Sequence, residues 1–143
     1  ETMGHLEEIK IAVRMAVDFK TKWLSIILKN DSKLLSGHNL DDVFKFSKSE
    51  VDCLLMNCNS FEKTNASLPN FLNRWESDWG VYPNLGITEP EPDGTMDLKI
   101  SDKLFSENID NYIKKIPFII GSCCGSSPIH TAMIKKHVQK YSN

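Results

Sequence analysis

Apolar positions along the chain follow two alternating rhythms. From Leu6 to Phe19, the residues Leu6, Ile9, Ala12, Val13, Ala16 and Val17 fall at helical spacing, and Glu7 and Glu8 sit in the first turn, where the helix dipole favours acids. Lys22 to Leu28 is a short apolar run with β-branched and aromatic residues, the pattern of a buried strand. Asn30-Asp31-Ser32 is a turn and Ser36-Gly37-His38-Asn39 a loop, after which Asn39 is placed to cap a helix over Leu40 to Phe46. A second buried strand spans Val51 to Met56 and ends at Asn57-Cys58-Asn59-Ser60. A helix is expected from Leu68 or Pro69 to Glu76, since proline suits a first helical position. Gly80 to Tyr82 reads as a third strand, and Gly86 to Gly94, with Pro90 and Pro92, as a long exposed loop. Ser101 to Lys115 reads as a helix with Leu104, Ile109 and Ile113 on one side, and Pro117 to Ile120 as a fourth strand. Ser127 as cap and Pro128 in the first turn then start a last helix, running to about Gln139.

Continuous apolar strands alternating with amphipathic helices predict an α/β protein with parallel strands covered by helices. Four strands make either a small doubly wound sheet or half of a (β/α)8 TIM-type barrel, which takes about 250 residues in full. The half barrel is favoured, with residues 1–143 as the carboxy-terminal half of one barrel domain. The chain opens on Glu1-Thr2-Met3 and passes directly into a helix, as if following a preceding strand, and the chemically interesting residues all fall where strands end. Four strands alone would leave two open edges, so the chain is expected to pair with its first half or with a copy of itself.

Composition narrows the function without naming it. Charged residues make up 25% and the formal net charge is −2, with basic residues scattered, so neither a nucleic-acid nor an anionic-membrane surface is expected. No apolar run approaches the roughly 18 residues of a membrane span. With no secretory signal, the four cysteines are expected to serve metal or redox chemistry in the cytoplasm. Cys53, within a strand, reads as packing; His5, His38 and His137 read as surface or loop residues, and Trp23, Trp75 and Trp79 as core.

Cys58 follows the second strand and the adjacent Cys123 and Cys124 follow the fourth, an arrangement unlike the short spacing of structural zinc modules. Strand-end loops of a barrel converge on one mouth, so these three can share a Zn2+ ion. Three thiolates leave the fourth tetrahedral position open, the mark of a catalytic rather than a structural zinc. Gly121 and Gly125 flank the pair and give the backbone room to turn both thiols toward one ion. A zinc bound by three sulfurs is a poor acid toward water but takes a further soft thiol well, which points to a thiol used as a nucleophile.

Gly121-Ser122-Cys123-Cys124-Gly125-Ser126-Ser127-Pro128-Ile129-His130 resembles the Gly-Gly-Cys-Cys-Gly-Thr-Thr-Pro-x-His signature of homocysteine S-methyltransferases. Met56-Asn57-Cys58 is similar to that family's Gly-x-Asn-Cys motif, Tyr82-Pro83-Asn84-Leu85-Gly86 to its Tyr-Pro-Asn-x-Gly segment, and Glu1-Thr2 to its Glu-Thr motif. The resemblance implies a zinc-dependent methyl transfer to homocysteine that yields methionine, with S-methylmethionine, betaine or a methylated folate as donor. It implies zinc on Cys58, Cys123 and Cys124, Glu1 binding the homocysteine ammonium group, and Asn57, Asn84 and Tyr82 as further substrate-site residues. It names no catalytic residue beyond the zinc site. The rivals are a non-catalytic zinc-binding or redox-responsive fragment and a methyltransferase for another thiol. His130 lies within the signature, at the head of the last helix.

Overall fold

The computed structural model describes residues 1–87, 96 and 99–141. The first helix, α1 (Leu6–Met15), buries Leu6, Ile9 and Val13. It stops before the predicted end because Val17 and Phe19 have nothing to cover them, and both are exposed. The first predicted strand forms β1 (Trp23–Ile26), and its last residue opens a further short strand, β2 (Leu28–Asn30), which turns back on β3 (Lys33–Leu34) as an antiparallel hairpin. The Asn30 side chain accepts from the Ser32 amide at 3.2 Å and closes the turn. Next come α2 (Leu40–Ser47) and β4 (Cys53–Asn57), whose five residues are all buried.

The third helix, α3 (Phe61–Leu72), begins well before the expected Leu68 or Pro69. Ser60 caps it by accepting from the Lys63 amide at 3.2 Å, and Pro69 lies inside the helix rather than at its start. The poor helix formers Thr64, Asn65 and Ser67 concealed these early turns. Packing on the sheet holds them, with Phe61, Thr64, Ser67, Leu68 and Phe71 buried. Then follow β5 (Asp78–Tyr82), α4 (Asp102–Ile113), β6 (Ile119–Ile120) and α5 (Pro128–Tyr141). In α4 the buried stripe is Phe105, Asn108, Ile109 and Tyr112, and Leu104 faces solvent instead of the core. The expected loop over Gly86 to Gly94 lies largely outside the described residues.

The main sheet is parallel throughout, in the order β1-β4-β5-β6. Met3 adds one parallel bridge to Ile26 on the outer edge of β1, so the first residues lie beside that strand. Leu24, Ile26, Leu54, Met56, Trp79 and Val81 point one way, into a core shared with Ile9, Val43, Phe71 and Phe105 of the helices. Alternation sends the intervening residues to the other face, and among the described residues no layer of helices lies over that face. Trp23, expected in the core, is 59% exposed there, edge-on to Phe118, which is equally open. Gly80 is required on this face, since a Cβ would lie 2.7 Å from Leu55 and 2.9 Å from the Ile119 carbonyl oxygen. The architecture is therefore α/β, a four-stranded parallel sheet with helices against one side. Among the described residues no helix is long and apolar enough to cross a membrane.

Candidate metal centre

Parallel register puts the ends of β4, β5 and β6 side by side, so the loops that follow them meet. Cys58 leaves β4 with φ of 54°, a left-handed conformation that non-glycine residues seldom adopt, and this turns the chain sharply off the strand end. Its amide donates to the Tyr82 carbonyl at 3.1 Å, and its own carbonyl accepts from the Asn84 side-chain amide at 2.7 Å. Asn84 also accepts from the Gly86 amide at 3.1 Å. Only 1% exposed, it locks the β4 and β5 loops together. Backbone bonds continue the seam, with Cys123 donating to Pro83 at 2.8 Å and Leu85 donating to Cys124 at 2.9 Å. Gly125 takes φ of 78°, the left-handed turn that lets the chain double back behind the cysteine pair.

These constraints bring three thiols together. Cys58 Sγ lies 3.6 Å from Cys124 Sγ, and Cys124 Sγ lies 3.9 Å from Cys123 Sγ. All three sulfurs fall within 4.8 Å of one another, and each residue is half-buried and unbridged. Sulfurs bound at about 2.3 Å around a tetrahedral zinc stand about 3.8 Å apart, so the observed spacing fits the ion. The electrostatics point the same way. Burial pushes the Cys58 thiol up to about 12, with the neighbouring thiols adding to the rise, and burial also pushes Cys123 up. Thiolates at this spot need a cation among them. Cys53 is fully buried in β4, a packing residue as expected.

The other expected site residues are near but not equivalent. Glu1 and Tyr82 line a concavity of about 400 Å³ on the open sheet face, together with Trp23, Ser25, Leu55 and Ile119. Burial raises the Tyr82 pKa, Ser25 beside the phenol offsets part of the rise, and the charges of Glu1, Cys123 and Cys58 add to it. Asn57 is fully buried, and its Nδ2 donates to Thr2 Oγ1 at 2.6 Å. Its Oδ1 has no partner among the described residues. His130 is turned away from the sulfurs. Its Nδ1 accepts from the Ser127 amide at 3.0 Å, its Nε2 lies 3.7 Å from Asp102, and its ring meets Phe105 edge-on, so it fastens α5 to α4. His137, expected on the surface, instead pairs with Asp110 of α4. Thr2 is marked in the sequence only as part of the Glu-Thr pair, with no role of its own, and Ser25 carries no signal beyond its place in a strand.

The family described as homocysteine S-methyltransferase matches residues 1–138 of the chain. The chain belongs to that family. Solved structures of the homocysteine methyltransferase MmuM from Escherichia coli share its fold. The apo form is 23% identical with a TM-score of 0.76, over 96% of this chain and 47% of that one. The metallated form is 22% identical with a TM-score of 0.75, over 94% of this chain and 42% of that one. This family member thus spans under half the length of those structures. No curated protein matches the chain.

Proposed function

We propose that this chain is the carboxy-terminal half of a zinc-dependent S-methyltransferase barrel that passes a methyl group to the thiol of homocysteine and gives methionine. The observation that carries the reading is the convergence of Cys58, Cys123 and Cys124 within 4.8 Å, in a family whose name supplies the reaction. Bound to the three sulfurs, zinc would supply Lewis acidity toward a further soft thiol, whose own pKa of about 8.5 leaves it mostly protonated at neutral pH. The protein's part is to place the thiol and its tail. Glu1, at the concavity, offers a carboxylate to the ammonium group, while Tyr82 and Leu55 line the same space. Asn57 and Asn84 hold the strand ends from which these groups project. The methyl donor is S-methylmethionine, betaine or a methylated folate, whose leaving groups are respectively a sulfide, a tertiary amine and an amine that must first be activated. Three free thiols suit a reducing compartment such as the cytoplasm.

The open face with Trp23 and Phe118, and the outer edges of β1 and β6, call for further strands, from the other half of the barrel or from a second copy. The same exposure supports a second reading, a zinc-binding or redox-responsive fragment without catalysis. Incubating the zinc-loaded chain with homocysteine and each donor in turn, and measuring methionine, separates the two. Methionine from any donor supports the transferase. Zinc retained with no methionine from any donor favours the fragment.

A further inference from the structure

Thr2 is a β-branched residue with φ of 56°, a conformation such residues avoid unless their surroundings impose it. Here the surroundings do. The Thr2 amide donates to Ser25 Oγ at 3.0 Å, and Thr2 Oγ1 accepts from Asn57 Nδ2 at 2.6 Å. The next residue is fixed as well, with Met3 donating to the Ser25 carbonyl at 2.9 Å and accepting from Ile27 at 3.1 Å. An extended Thr2 would continue the chain along the edge of β1. The left-handed turn instead leaves Glu1 at the concavity, beside Ser25 and Tyr82. Ser25 is buried and lines the same space as Tyr82, so the hydroxyl that holds the Thr2 amide stands in the wall of the concavity. Asn57 immediately precedes Cys58, so the side chain that grips Thr2 belongs to the strand end that carries the first thiol.

We infer that Thr2, gripped by Ser25 and Asn57, is the positioning residue that sets Glu1 at a fixed reach from the three cysteines. It thereby selects thiols carrying an ammonium group at the matching distance. This rests on the reading of Glu1 as the ammonium partner given under Proposed function. Thr2 itself touches no substrate. Its hydroxyl holds the turn, and the turn aims the carboxylate.

The test is calorimetric titration of the zinc-loaded full chain with homocysteine and with 4-mercaptobutyrate, which has the same thiol and carboxylate but no ammonium group. The wild type should prefer homocysteine. Thr2→Val should cut that preference by about 10- to 100-fold, the range one charged hydrogen bond contributes, and leave 4-mercaptobutyrate affinity and zinc content unchanged. Thr2→Ser, which keeps the hydroxyl, should restore it. Glu1→Gln should lose the same preference, and Thr2→Val/Glu1→Gln together should lose no more than either alone. Equal weakening of both thiols by Thr2→Val, or an intact preference, overturns the positioning role. A wild-type chain that binds zinc and both thiols equally well contradicts Glu1 as the ammonium partner, and the role of Thr2 falls with it.

Discussion

Replacing Asn84 with alanine tests whether the loops after β4 and β5 are locked together for the sake of the sulfurs. The side chain makes two hydrogen bonds, to the Cys58 carbonyl at 2.7 Å and from the Gly86 amide at 3.1 Å, in a setting 1% exposed. Alanine leaves both backbone groups without that partner in a place water reaches poorly. Each such group costs about 1–3 kcal/mol, so the loss of stability should be about 2–6 kcal/mol. The same bond also anchors Cys58, the residue in a left-handed turn that brings its thiol to Cys124. Residues that orient a metal ligand in this way typically contribute 10- to 100-fold to metal affinity. Urea unfolding of the metal-free chain measures the first quantity, and competition with a chromophoric chelator measures the second. Phe71→Ala is the control. It empties a fully buried core position against Phe44 and Trp79 and should cost about 3–5 kcal/mol, yet leave zinc affinity alone. Asn84→Ala with lowered stability and unchanged zinc affinity would refute the link between the lock and the metal centre.

Other expectations come from the sheet. Gly80→Ala drives a methyl into Leu55 and the backbone of Ile119, so β5 and β6 must part slightly; the urea midpoint should fall by the equivalent of about 1–3 kcal/mol, and an unmoved midpoint would contradict the close approach. Cys53 is buried in β4, and burial, followed by the charges of Asp78 and Asp52, raises its thiol from 9.0 to about 11. As pH climbs between those values the unfolded chain loses this proton before the folded one does, so stability is present below about 9 and declines toward 11. Unfolding curves across that range should show a shallower decline in Cys53→Ala than in the wild type, and equal slopes would count against it.

Much of the frame was legible because buried parallel strands are written as unbroken apolar runs. Val51 to Met56 is such a run but for Asp52, and locating it placed Cys58 just past a strand end, where the structure also has it. The adjacent Cys123 and Cys124, flanked by glycines, marked the other half of the centre. What escaped depended on tertiary context. The early turns of α3 contain Thr64, Asn65 and Ser67, which only packing on the sheet makes helical. Trp23 looks like a core residue until the sheet is seen to have one uncovered face. The turn at Asn30-Asp31-Ser32 was legible, but β2 and β3 on either side of it are too short to show as strands in the sequence. Asn84 belongs to a recognisable segment, yet its bond to a carbonyl 26 residues back in the chain could not be foreseen from that segment. The Glu-Thr pair marks Thr2 in the sequence, but not the left-handed backbone angle it adopts.

One metal shared by three cysteines is the central claim. Metal stoichiometry of the purified chain, by mass spectrometry of the wild type and of the Cys58→Ser, Cys123→Ser, Cys124→Ser triple variant, addresses it most directly. One zinc per wild-type chain and none in the triple variant is the predicted result. Zinc retained in the triple variant, or a wild-type chain that takes up none from zinc-containing buffer, would contradict it.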